Sequence, residues 1–116
     1  MTTPLGPYSP IVRAGDFLIV SGQVPLVDGR KVDGGVAAET KQVMANVATQ
    51  LATKGATLND VVKTTCFLTD MENFAVFNDA YVAALGDHRP SRSTVEVSAL
   101  PGDFAVEIEA WAYLPE

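Results

Sequence analysis

The amino-acid sequence predicts an α+β fold: a mixed sheet with both helices on one face, in the order β-β-α-β-α-β-β. Three observations carry that expectation. Apolar residues recur at three- and four-residue steps in two stretches, 36–54 and 74–85. Alternation of side chains assigns two faces along 92–99 and 104–114. Glycine, proline or Asp/Asn turn signals separate the stretches. A chain of 116 residues is expected to form one domain, 1–116, because two would each be too small to bury a core.

The first ten residues hold three prolines and a glycine and read as an irregular arm. Ile11 to Arg13 and Phe17 to Ser21 flank the turn Ala14-Gly15-Asp16 and predict a hairpin. Gly22-Gln23-Val24-Pro25 ends or bends the second strand, since proline cannot donate to a ladder. The polar stretch 28–35 reads as a loop with a short extended piece at Val32.

From Val36 to Lys54 the period changes. Val36, Thr40, Val43, Met44, Val47, Ala48 and Leu51 form one helical stripe. Glu39 in the first turn, Lys54 in the last and Gly55 beyond it agree with the helix dipole and with a glycine stop. Val61 to Leu68, rich in β-branched residues, reads as an interior strand covered by helix on at least one side. Asp70 is a candidate N-cap for a second helix, along which Phe74, Phe77, Asn78, Tyr81 and Leu85 share one side, and Gly86 stops it. That aromatic stripe reads as core packing in preference to a cofactor platform, with Asn78 as its polar exception.

In the last third, Ser93, Val95, Val97 and Ala99 share one face of a strand, and Arg92, Thr94, Glu96 and Ser98 the other. Val106, Ile108, Ala110 and Ala112 form the apolar face of the final strand, opposite Glu107, Glu109, Trp111 and Tyr113. Aromatic residues beside carboxylates on the helix-free face suit a subunit interface better than open solvent.

Composition narrows the function classes. The formal charge of −6, from 14 Asp and Glu against 8 scattered Lys and Arg, argues against a nucleic-acid partner and against an anionic membrane surface. No apolar run approaches the roughly 20 residues that cross a bilayer. The start, MTTPLGPYSP, has neither the basic nor the apolar region of a secretion signal, so a cytoplasmic location is expected. Cys66 and His88 are each the only residue of their kind, without metal-ligand spacing, HExxH or CxxC. Metal-free chemistry is therefore expected, a metal shared between subunits being the lesser alternative.

The residues left to carry chemistry are Tyr8, Ser21 with Gly22, Asn78, Arg92 with Thr94, and Glu107. Tyr8 reads equally as a hydrophobic anchor of the arm or as part of a site. Ser21-Gly22 is either a simple turn or a place where backbone approaches a ligand closely. Arg92 is either a solvated charge or, in a cleft, a fork for a carboxylate. Glu107 reads first as a structural partner for Arg92 and second as a residue that orients water and exchanges protons.

The segments GPYSP (6–10), IVSGQVP (19–25), GATLNDVVKTTCFLTDMENFAVFNDAY (55–81), RPSRSTVEVSALP (89–101) and VEIEAWA (106–112), in this order and spacing, resemble the reactive-intermediate deaminase family (RidA, or YjgF/YER057c/UK114) over nearly the whole chain. The resemblance implies a chorismate-mutase-like α+β fold, assembled as a homotrimer with ligand sites between neighbouring subunits. It implies that Arg92 binds a substrate carboxylate, that Tyr8, Ser21, Gly22, Asn78 and Glu107 line or support the same site, and that Glu107 is linked to water activation. Thr94 stands where the family usually has cysteine, which removes thiol chemistry there and leaves pocket shape and substrate preference open. Cys66 lies in a different strand and is no replacement. The implied reaction is hydrolysis of enamine or imine acids such as 2-aminoacrylate and 2-iminobutanoate to 2-oxo acids and ammonia, without metal, flavin or pyridoxal phosphate. The alternatives are a non-catalytic protein that binds small 2-oxo acids or regulates through them, a dedicated catabolic deaminase for a bulkier compound such as 2-aminomuconate, and a structural or chaperone-like oligomer.

Overall fold

A computed structural model describes residues 6–116; the part of the predicted arm at residues 1–5 lies outside them. Strands β1 (Ile11–Ala14) and β2 (Phe17–Gln23) form the expected hairpin around Gly15, whose φ of 61° is the left-handed geometry that favours glycine. Helix α1 (Gly35–Ala52), β5 (Val61–Leu68), α2 (Phe74–Leu85), β6 (Ser91–Glu96) and β7 (Val106–Tyr113) follow. Between β2 and α1 the predicted loop contains a small hairpin of its own, β3 (Leu26–Val27) with β4 (Arg30–Lys31), and Val32 lies just outside it. Asp28 and Gly29 both have positive φ, the geometry of a tight two-residue hairpin turn.

The main sheet runs β1-β2-β7-β5-β6. Every neighbouring pair is antiparallel except β5 and β6, which are parallel and joined through α2. Both helices cover the same face. Leu18 and Val20 of β2, Val61, Cys66 and Leu68 of β5, and Val106, Ile108, Ala110 and Ala112 of β7 are buried beneath Val43, Met44, Val47 and Leu51 of α1 and Phe77, Tyr81 and Leu85 of α2. The sheet's other face leaves Phe17, Trp111 and Tyr113 exposed by about two fifths, with Phe17 edge-on to both other rings at 5.9 and 5.3 Å.

Three local expectations are corrected. Glu39 lies beyond the first turn of α1, which begins at Gly35. It is buried, and its carboxylate accepts a 2.9 Å hydrogen bond from the Ala105 amide, tying the β6–β7 loop to the helix. Lys54 lies past the helix, which ends at Ala52. Asp70 caps the short 3-10 turn Met71–Asn73 that precedes α2, accepting from the Glu72 amide at 2.9 Å, and does not cap α2 itself.

The last strands also differ in extent. The alternation predicted through Ala99 stops at Glu96, because the chain must pass over the end of β5 to enter β7 on its far side. Within β6, Arg92 and Thr94 stand in register with the buried Thr64 and Cys66 and point toward the helices, whereas Val95 is exposed on the other face.

Candidate functional site

The seven expected site residues fall into two groups on opposite faces of the sheet. The first surrounds Glu107. Between Val20 and Gln23 the pairing of β2 with β7 slips, with Val20 opposite Ala110 and Gln23 opposite Ile108. This places an extra residue on β2, a bulge at Ser21-Gly22, so the strand bends where the sequence suggested an ending. Ser21 is occupied in holding the arm: its amide donates to Pro10 O at 3.0 Å and its hydroxyl to Ser9 O at 2.7 Å. Tyr8 is thereby brought over the bulge. Gly22 sits directly against Glu107, and a Cβ there would lie 2.6 Å from Oε2 and 2.8 Å from Cδ. The arrangement leaves a shallow cleft of about 250 Å³ lined by Gly6, Pro7, Tyr8, Gly22, Val24, Pro101 and Glu107.

Burial first, and the neighbouring negative charge of Glu109 second, push the Glu107 carboxyl above its ordinary pKa. This side chain is therefore better suited to exchanging protons than a solvated glutamate is.

The second group lies on the helix-covered face. Arg92 extends under α2, with its guanidinium carbon 5.6 Å from the ring centres of Phe74 and Phe77 and 4.9 Å from that of Tyr81. Among the described residues the ion pair is Arg13 with Glu116 at 3.6 Å, and none includes Arg92. Thr94, two residues on, has its hydroxyl oxygen buried without a hydrogen-bond partner among the described residues, as has the side-chain oxygen of Asn78 on α2. Buried oxygens of this kind are costly unless something donates to them. Beneath the guanidinium, Thr64 and Tyr81 share a 2.7 Å hydrogen bond. Burial pushes the Tyr81 phenol upward and the Cys66 thiol up to about 11, so both stay protonated and the thiol is inert.

The expected pairing of Glu107 with Arg92 does not form. Arg92 is level with Thr64 and Ala110, and Glu107 lies on β7 three residues from Ala110 with the opposite parity. At about 4.8 Å between strands and 3.3 Å per residue, the two Cα atoms are roughly 14 Å apart, with the side chains on opposite faces. One small acid cannot touch both side chains of one chain.

Sequence reasoning missed two walls of the cleft and the platform under Arg92. Pro101 and Val24 wall the Glu107 cleft, but nothing in an isolated turn proline or a strand-end valine marks them. Phe74, Phe77 and Tyr81 are, as expected, a packing stripe, with Phe77 and Tyr81 in the core; they are also the platform that holds Arg92. A helical aromatic stripe gives no sign of what lies on it until the parallel pairing of β5 and β6 is known.

Comparison with known proteins agrees with this architecture. The family described as endoribonuclease L-PSP matches residues 1–114. A RutC family protein of Pyrococcus horikoshii is 45% identical over 112 residues, covering 95% of this chain and 89% of that one. A mouse protein named 2-iminobutanoate/2-iminopropanoate deaminase is 41% identical over 110 residues, covering 93% and 82% respectively. The crystal structure of Escherichia coli TdcF with bound serine superposes with a TM-score of 0.89 at 33% identity, covering 95% of this chain and 90% of that one. With its β-β-α-β-α-β-β order, two helices on one face and near-complete match, the chain belongs to the RidA/YjgF/YER057c/UK114 (endoribonuclease L-PSP) family.

Proposed function

We propose that the protein hydrolyses reactive 2-enamine and 2-imine acids, such as 2-aminoacrylate and 2-iminobutanoate, to 2-oxo acids and ammonia, in clefts between the subunits of a homotrimer. The observation that carries this reading is the Arg92 guanidinium, held against three aromatic rings with no carboxylate of the described residues on it. A charge so placed is an anchor for an anion supplied from outside the chain. Likeness to the mouse deaminase and to a serine-bound relative supports a small carboxylate ligand.

Because Arg92 and Glu107 lie on opposite faces, a complete site takes Arg92, Thr94 and Asn78 from one subunit and Tyr8, Ser21, Gly22 and Glu107 from the next. The exposed Phe17, Trp111 and Tyr113 supply apolar surface for that contact. Arg92 grips the carboxylate and so fixes the neighbouring carbon. Proton transfer from solvent to the terminal carbon of the enamine gives the iminium ion, which an imine acid reaches by taking a proton at nitrogen. The Glu107 carboxylate then takes a proton from water as the oxygen adds to C2 and passes it to nitrogen, and the C–N bond breaks to release ammonia as the hydroxyl proton returns to the carboxylate and C2=O forms. The chemistry requires no group beyond these side chains and water.

A coupled assay with freshly generated 2-aminoacrylate and 2-iminobutanoate tests the reaction, and native mass measurement tests the assembly. Formation of 2-oxo acid well above the spontaneous rate by a trimer supports the proposal. No acceleration, together with calorimetric binding of 2-oxo acids, would make this a binding protein instead, and a monomer would remove the shared cleft.

Two smaller effects follow from the Glu107 side. Gly22→Ala should leave the fold intact and lower kcat/KM by up to about 100-fold, because the new methyl group displaces the carboxylate on which water is oriented. Unchanged kinetics in the folded variant would show that the close contact is unimportant. The pH dependence is governed by the ionised form of Glu107: the rate should fall as pH drops through its raised pKa, above the ordinary carboxyl value of 4.5. Glu109→Gln removes the repulsion, lowers that pKa and should move the acid limb of kcat/KM to lower pH. An acid limb that stays put would exclude Glu107 as the group it reports.

A further inference from the structure

The direction of the Arg92 guanidinium has to be set by something other than an ion pair, since none includes it among the described residues. What surrounds it is aromatic, and Tyr81 is the nearest ring, at 4.9 Å. Phe74 and Phe77 are held by packing alone, whereas Tyr81 is tethered through its hydroxyl to Thr64 Oγ1 at 2.7 Å. Thr64 is the residue of β5 in register with Arg92 on the parallel neighbour β6, so the two side chains rise side by side from one face of the sheet. Tyr81 reaches down from α2 onto both. A closed triangle results, with strand pairing linking Thr64 to Arg92, a hydrogen bond linking Thr64 to Tyr81, and stacking linking Tyr81 to Arg92.

We propose that Thr64 is a positioning residue for the carboxylate anchor: by fixing the Tyr81 ring it aims the Arg92 guanidinium into the ligand cleft without touching the ligand. Only 1% of Thr64 is exposed, which rules out direct contact with a bound acid. A long, rotamer-rich side chain loses affinity when it must be ordered at the moment of binding, so a preset ring face makes the anchor ready in advance. The inference rests on the reading of Arg92 as an anion anchor, and its test separates the two.

The measurement is nuclear magnetic resonance of the Arg92 side chain in the full-length protein, combined with calorimetric titration of 2-oxobutanoate. In the parent protein the Arg92 Hδ and Nε–H signals are expected to be shifted upfield by the ring beneath them. Thr64→Val and Tyr81→Phe should both move them toward the values of a free arginine, and Thr64→Ser, which keeps the hydroxyl, should not. Affinity should fall roughly five- to tenfold in the first two variants and stay within about twofold in the third, the scale of one lost stacking contact.

The double variant Thr64→Val with Tyr81→Phe provides the control for folding. It removes both hydrogen-bonding groups together, so the thermal stability lost in Thr64→Val should largely return. The Arg92 signals and the affinity should not return with it. Unmoved Arg92 signals in Thr64→Val would overturn the proposal, and so would affinity that recovers along with stability. If the parent protein binds no 2-oxo acid, the anchor reading falls, while the Arg92 signals still decide whether Thr64 orients the guanidinium.

Discussion

Arg92→Ala, folded and assembled, should lower kcat/KM for 2-aminoacrylate by about 30- to 5,000-fold, the range that removal of one partner from a desolvated charge pair produces. The basis is local. The guanidinium is withdrawn under α2 and lies against Phe74, Phe77 and Tyr81. Arg92→Lys should also fail to restore the parent rate. An ammonium is a point charge that neither stacks on a ring as a planar guanidinium does nor forms the two parallel hydrogen bonds a carboxylate accepts. Steady-state kinetics on both variants check this, with circular dichroism and native mass confirming that each is intact. Parent-like turnover by Arg92→Ala would remove the anchor from the mechanism.

Glu107→Gln should lower kcat by about 100- to 10,000-fold with little change in KM, because only proton transfer is lost. Glutamine keeps the shape of the side chain lying over Gly22, so the cleft walls stay in place. A rise in KM with kcat intact would instead mean that Glu107 binds the acid and does not act on water.

Legibility in the sequence follows the range of the interaction concerned. Alternation in 104–114 is a local property and assigns Glu107 to the same face as Trp111 and Tyr113, as the structure has it. The α1 stripe is local too, and Thr40, Val43, Met44, Val47 and Leu51 are buried as spacing predicts, although the buried face also takes in Glu39, Asn46 and Gln50. What escapes is whatever depends on a partner far along the chain. Glu39 fits a dipole argument within its own helix, but its carboxylate is used 66 residues away on Ala105. Gly22 is visible as a glycine, but the reason for it is a slip in register against β7. The pairing of Arg92 with Glu107 is plausible for two charged residues on neighbouring elements, and fails because an intervening strand and opposite parity separate them. Family resemblance brings the candidate residues to notice, while their division between two faces appears only in three dimensions.

In the proposed trimer that division leaves no subunit self-sufficient, and this has a genetic expression. In a closed ring, a subunit lacking Arg92 still offers Glu107 to one neighbour, and a subunit lacking Glu107 still offers Arg92 to the other. Two separately dead proteins, Arg92→Ala and Glu107→Gln, should therefore complement when unfolded and reassembled together. Random mixing in equal amounts makes about one interface in four whole, and so returns about a quarter of parent activity. Sites contained within single chains would return none.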